Sequence, residues 1–168
     1  MNSSFLFDFS IDRENKTIHI KREFDANLEL VWQGWTTAEL LDQWCAPNPY
    51  RTETQTLDLR EGGFWHYAIV SPEGKKHWSR YDYKKIETEK SIRESRAFSD
   101  ENGRVSPDFL RTECIIDFSE TSGKTLVTIT EKYGSTEMFD KMATSSHKKG
   151  FSSHLQNLDK LLLTLKNK

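Results

Sequence analysis

The chain opens on strict alternation. Phe5, Phe7, Phe9 and Ile11 share one face against Leu6, Asp8 and Ser10, which is the period of a strand. The polar stretch Asp12 to Lys16 reads as a turn. Ile18, Ile20 and Phe24 then continue on one face of a second strand, so the two are expected to pair as a hairpin. The period changes at residue 27. Leu28, Val31, Trp32 and Trp35 fall at i, i+3, i+4 and i+7, one face of a short helix that Asp25 or Asn27 can cap. Thr36 and Glu39 make a capping-box pair for a second short helix bearing Leu40, Leu41 and Trp44. Pro47 and Pro49 stop it.

From 51 to 133 strand follows strand. Strands are predicted over 51–59, 64–70, near 76–86 and 91–98, over 110–118 and over 125–133. Gly62-Gly63, Ser71-Pro72-Glu73-Gly74 and Ser122-Gly123 supply turns, and the polar segment 99–107 reads as a loop. Such short connections imply an antiparallel meander. The end of the chain reads as one long helix with Thr136 as its cap. Its stripe runs through Phe139, Met142, Ala143, His147, Phe151, Leu155, Leu158, Leu162 and Leu165. At 1.5 Å per residue that helix would be about 45 Å long. Gly150 interrupts it at a cost of about 1 kcal/mol relative to Ala, for which a kink or a close approach to the sheet is the expected reason.

The fold class expected is therefore α+β. A twisted antiparallel sheet buries one face under a long C-terminal helix, with two small helices inserted after the first strands. A curved sheet wrapped around a helix leaves space between them, a standard place for an apolar ligand.

Composition narrows the function. The 168 residues suit one domain, 1–168, with its core at about 5–165. Twenty-four Lys and Arg against 26 Asp and Glu leave a net charge of −2, which argues against a nucleic-acid binder. No apolar run reaches the roughly 20 residues that span a bilayer. MNSSFLFDFS has no basic segment and carries Asp8, so it is not read as a secretory signal. Cys45 and Cys114 are too few and too far apart for a disulfide framework, and reduced thiols in a cytoplasm are expected. Cys114 sits in a strand pattern and reads as core. Cys45 sits in the turn QWCAPNPY, with no His close in sequence to activate it. G-x-S-x-G, a P-loop and a dinucleotide fingerprint are all missing from the sequence.

Four stretches carry a resemblance. They are FDANLELVWQGWTTAELLDQW from Phe24 to Trp44, DLREGGFWHY from Asp58 to Tyr67, HWSRYDYKKI from His77 to Ile86, and GFSSHLQNLDKLL from Gly150 to Leu162. Over about residues 5–165 the chain resembles the START and pollen-allergen-like helix-grip (SRPBCC) superfamily. Within it, the chain is similar to the C-terminal domain of the heat-shock protein 90 ATPase activator in its stand-alone bacterial form. Many members have Trp-Trp-Gly-Pro where this chain has Trp44-Cys45-Ala46-Pro47, and many have Pro at the position of Asn27. Both changes touch turns and the pocket rim. The eukaryotic co-chaperone carries a further N-terminal domain, which the 168 residues are not expected to hold.

Candidate site residues follow. Pairing of 64–70 with 76–82 about Pro72-Glu73 would set Trp65 opposite Arg80 and Tyr67 opposite Trp78, on the face that also holds Ile69 and Asp82. The resemblance implies that this is the concave face. Arg80 and Asp82 are then charges in an aromatic wall, where a buried charge must be paired or useful. Either Arg80 anchors the polar end of a ligand, or it pairs with Asp82 at the sheet end. His66 and His77 fall on the opposite face as exposed strand histidines, without a third ligand for a metal. His147 lies in the apolar stripe of the last helix and either lines the pocket or sits at the core edge. Glu94 and Arg96 alternate with Ile92 and Phe98, either entering a polar cavity or marking an edge strand.

The expected function is non-catalytic binding of a small hydrophobic or amphipathic molecule between sheet and helix. Trp65, Tyr67, Trp78, Arg80, Asp82, His147 and Phe151 are its expected contacts, with no cofactor and no metal. The resemblance also implies an alternative, an interaction module with a chaperone as partner. A third reading is a cyclase, dehydratase or hydrolase-type enzyme, with Asp82, Glu94 and His147 as acid–base candidates and Arg80 as an oxyanion clamp.

Overall fold

The computed structural model describes residues 6–107 and 111–167. Phe5 and Leu110, at the ends of two expected strands, lie outside them. The fold is α+β of the helix-grip type. Strands β1 (Phe7–Asp12) and β2 (Thr17–Phe24) lead into helices α1 (Leu28–Thr36) and α2 (Ala38–Trp44). Six strands follow: β3 (Arg51–Leu57), β4 (Phe64–Val70), β5 (Lys76–Glu87), β6 (Ser91–Phe98), β7 (Thr112–Thr121) and β8 (Lys124–Lys132). Helices α3 (Thr136–Met142) and α4 (Ser145–Lys166) close the chain. The strands form one antiparallel sheet in the order β1-β2-β8-β7-β6-β5-β4-β3, so β3 to β8 are the expected meander and β2 closes onto β8.

The C-terminal segment is two helices and not one. Ser135 Oγ accepts from Met138 N at 3.1 Å, and Thr144 Oγ1 accepts from His147 N at 3.1 Å. Each cap satisfies amides that a helix start leaves open. The second cap, at Thr144, interrupts the stripe read as continuous. At 22 residues, α4 is about 33 Å long. Nor does Gly150 approach the sheet, since a Cβ there would meet nothing within 4 Å. Asn27 caps α1 by accepting from Leu30 N at 2.9 Å. Thr36 does not cap α2: its hydroxyl donates to Trp32 O at 2.8 Å, and α2 starts after Thr37.

Apolar residues of the concave face meet α1, α2 and α4 in one core. Ile18 and Ile20 of β2, Val127 and Ile129 of β8, and Ile116 of β7 lie under Leu155, Leu158 and Leu162 of α4, all buried. Arg22 on β2 pairs with Asp159 on α4, and Lys166 Nζ donates to Asp25 O at 2.8 Å. These contacts fix the C-terminal half of α4. The N-terminal half, from His147 to His154, stands over the other end of the sheet.

The β4–β5 register decides which side chains point there. Ser71 N donates to Lys75 O at 2.9 Å and Gly74 N donates to Ser71 O at 2.9 Å. Gly74 has φ +90°, the left-handed conformation that a three-residue hairpin loop needs. The loop is thus one residue longer than a tight turn centred on Pro72-Glu73. Trp65 opposes Tyr81, His66 opposes Arg80 and Ala68 opposes Trp78. A one-residue slip moves every side chain to the other face. This corrects the expected facing of β5. Trp78, Arg80 and Asp82 share the outer face with His66, and Ser79, Tyr81 and Tyr83 share the inner face with Trp65 and Tyr67.

Candidate functional site

A cavity of about 270 Å³ lies between the inner face of β4–β8, helices α2 and α3, and the N-terminal half of α4. Its aromatic wall comes from period-2 spacing on two adjacent strands. Trp65 and Tyr67 on β4 stack at 3.9 Å between ring centroids, and Tyr81 on β5 stands edge-on to both at 5.1 and 5.3 Å. Tyr67 OH donates to Tyr81 OH at 2.8 Å, and Trp65 Nε1 donates to Thr54 Oγ1 at 3.0 Å. The indole N–H and the Tyr67 hydroxyl are therefore satisfied within the wall, which leaves an apolar aromatic lining for the cavity. Burial pushes the Tyr67 and Tyr81 hydroxyls up, so both stay neutral.

The polar wall comes from one row across the sheet. Glu94 on β6 pairs with Cys114 on β7, and Cys114 pairs with Glu131 on β8. Both glutamates are buried, 4% and 3% exposed. Arg96, one inward position further along β6, reaches back to both. Its Nε donates to Glu94 Oε2 at 2.6 Å and its NH1 donates to Glu131 Oε2 at 3.1 Å. Its guanidinium lies over the Tyr81 ring, 4.5 Å from the centroid. Tyr133 OH donates to Glu131 Oε1 at 2.9 Å, and His147 Nε2 lies 3.4 Å from the same oxygen.

The two carboxylates share one cation but not one environment. Burial pushes Glu94 up, and the charge and hydrogen bond of Arg96 only partly oppose it. Burial acts the same way on Glu131, but there the His147 hydrogen bond, the charge of Arg96 and the Tyr133 hydroxyl outweigh it and hold the group below the usual carboxylate range. Of the two, Glu131 is the more firmly held as an anion and Glu94 the more readily protonated. Burial drives His154 down to about 4, leaving a neutral ring stacked on Phe151 at 5.1 Å. Burial also pushes the Cys45 thiol, on the cavity wall, up to about 12, too high for a thiolate nucleophile at neutral pH.

Of the residues singled out from sequence, Trp65, Tyr67, His147 and Phe151 line this cavity, and so do Glu94 and Arg96. Trp78, Arg80 and Asp82 do not. On the outer face Arg80 Nε donates to Asp82 Oδ1 at 3.1 Å, and Arg111 NH1 donates to Asp82 Oδ2 at 2.7 Å. Burial would raise Asp82, but the hydrogen bonds and charges of Arg80 and Arg111 prevail and hold it below the usual range. It is an anion on the outer face of the sheet, turned away from the cavity. His66 is not an exposed strand histidine. It is 3% exposed, stacked on Trp78 at 4.7 Å, with Nε2 3.1 Å from Asp100 O of the 99–107 loop. No metal-binding group of three His, Cys, Asp or Glu occurs among the described residues. Glu131 and Tyr133 were missed from sequence. The signal was there: Thr125, Val127, Ile129 and Glu131 share one parity, so a glutamate continues the inward row of β8.

The fold resembles those of solved structures over most of the chain. Protein Ms6760 from Mycobacterium smegmatis superposes with a TM-score of 0.84 at 24% identity, covering 95% of this chain and 97% of that one. Protein NE0264 from Nitrosomonas europaea gives 0.80 at 26% identity over 94% and 100%. A comparison with curated proteins gives no match. No helix among the described residues is long and apolar enough to cross a membrane. Residues 25–163 match the model of the family described as Activator of Hsp90 ATPase homolog 1-like protein, and the chain belongs to that family.

Proposed function

We propose that the protein binds a small, mainly apolar molecule in the cavity between sheet and α4, without a covalent step. One observation carries this reading: a space of about 270 Å³ with stacked aromatic rings on one wall and a buried, hydrogen-bonded ion cluster on the other. Ligand pockets typically measure about 300–1,000 Å³, apolar with a few fixed polar groups. A space just below that range suits a one- or two-ring molecule better than a lipid with long acyl chains. The two free cysteines suit a reducing compartment, and we place the protein in the cytoplasm.

Trp35, Trp44 and Trp65 line the cavity, so their fluorescence reports on occupancy. Titration with indole and naphthalene is expected to quench it saturably and to raise Tm. Ser79→Leu fills the space from the inner face of β5 and is expected to abolish both effects while the protein stays folded. Absence of saturable binding up to millimolar concentration would overturn the reading.

A further inference from the structure

The inference here rests on the cavity being a ligand site, and names what the ligand carries. We propose that the cavity takes a protonated amine on an aromatic body, the ammonium group on Glu94 and the rings against Trp65, Tyr67 and Tyr83.

The first support is the charge count. Two carboxylates, Glu94 and Glu131, face one guanidinium in the cavity wall, and His147 stands beside Glu131 and not Glu94. Arg96 is committed to both of them and to the Tyr81 ring. A ligand carboxylate would be a further acidic group around Arg96, in surroundings where charges are poorly screened. A ligand cation instead pairs with Glu94, the carboxyl that His147 does not reach.

The second support is an open valence. Glu131 is saturated: Oε2 accepts from Arg96, and Oε1 accepts from Tyr133 with His147 beside it. Glu94 is not. Its Oε2 takes the Arg96 bond, and its Oε1 has no hydrogen-bond partner among the described residues. Its side chain is 4% exposed and lines the cavity. No buried side-chain oxygen among the described residues lacks a partner, so Oε1 is open to the cavity, where a donor brought by a ligand can reach it.

The third support is the aromatic surround. Tyr83 stands directly opposite Glu94 across the β5–β6 pair, and Trp65 and Tyr67 continue the wall. Ring faces attract a cation within about 6 Å of the centroid, more strongly when it is desolvated. A carboxylate flanked by rings is the arrangement that holds an ammonium group away from water.

Three size-matched probes test the proposal on the whole chain at pH 7.5: 2-naphthylmethylamine, 2-naphthalenemethanol and 2-naphthoate. Calorimetry is expected to rank the amine at least tenfold tighter than the alcohol, about 1.4 kcal/mol, with the carboxylate weakest. Glu94→Gln is expected to erase the amine's advantage and to leave the alcohol within twofold. The wild-type ranking needs no variant, so it stands even if Glu94→Gln unfolds. The alcohol binding as well as or better than the amine would overturn the proposal and leave the cavity reading intact. So would the carboxylate binding tightest, or an amine affinity that Glu94→Gln does not change. Failure of all three probes to bind would overturn both.

Discussion

Gly34 on α1 lies directly under Leu158 on α4: a Cβ at residue 34 would sit 3.2 Å from Leu158 Cδ1. Leu158 is fully buried, so making room for that Cβ disturbs the packed core. The close approach expected at Gly150 is therefore made at Gly34, and it brings α1 against α4. Gly34→Ala gains about 1 kcal/mol of helix propensity but overpacks a dense contact at about 1–3 kcal/mol. A net loss of up to about 2 kcal/mol follows. Gly150→Ala meets open space and is expected to stabilise by about 0.5–1 kcal/mol. Urea denaturation of the two variants should give opposite signs, and equal signs would refute this account.

The elements were legible because their periods are clean, as the β1 alternation and the Leu28–Trp35 stripe show. The family was legible from motifs spread across the chain. The face of β5 was not, because it turns on one residue. Whether Gly74 is a loop residue or the last of a tight turn decides if Arg80 or Tyr81 points inward, and composition does not distinguish the two. The break at Thr144 was hidden for a related reason. Apolar spacing persists through Phe139, Met142 and Ala143 while the hydroxyl of Thr144 starts a new helix. The Glu94–Arg96–Glu131 cluster needs three strands in register, and sequence alone gives only the inward parity of each member.

Arg96→Met tests what the shared cation does. It leaves two buried carboxylates with no cation between them, and removing one member of a buried pair costs about 3–5 kcal/mol. Without Arg96, Glu94, already raised, loses the cation that opposes its burial, and Glu131 loses one of the groups that hold it down. A raised acid favours the folded state at low pH, and that contribution is lost as pH rises. The deficit of the variant relative to wild type should therefore be larger at pH 7.5 than at pH 5 in urea melts. A deficit independent of pH would show that Arg96 acts through packing alone.

Glu94→Gln should separate the two glutamates. In the wild type Glu94 is raised, so its contribution to stability is present below its unfolded value and lost as pH climbs through the folded one. Glu131 is lowered, and its contribution is present above the unfolded value and lost on acidification. Gln at position 94 keeps an acceptor for Arg96 Nε and leaves Arg96 and Glu131 as a one-to-one pair. Stability relative to wild type is expected to improve as pH rises through the titration of Glu94 and then to level off. Glu131→Gln is expected to lose about 1–3 kcal/mol at neutral pH by depriving the Arg96 and Tyr133 donors of a charged acceptor. The reverse ranking at pH 8 would contradict the opposite shifts of the two glutamates.

Ser79 and Arg80 are neighbours in sequence with opposite consequences. Ser79 is 8% exposed and lines the cavity, whereas Arg80 lies outside, paired with Asp82, its guanidinium 4.1 Å from the Phe64 ring centroid. Arg80→Ala removes a partly exposed ion pair and ring contact, worth about 1 kcal/mol. It should lower Tm by a few degrees and leave naphthalene affinity within twofold. Ser79→Leu should do the reverse, filling the cavity so that binding falls at least tenfold while Tm holds or rises. The pair reads out the β5 register directly in solution. Had Arg80 pointed inward, its substitution would have weakened binding and Ser79→Leu would have left it unchanged.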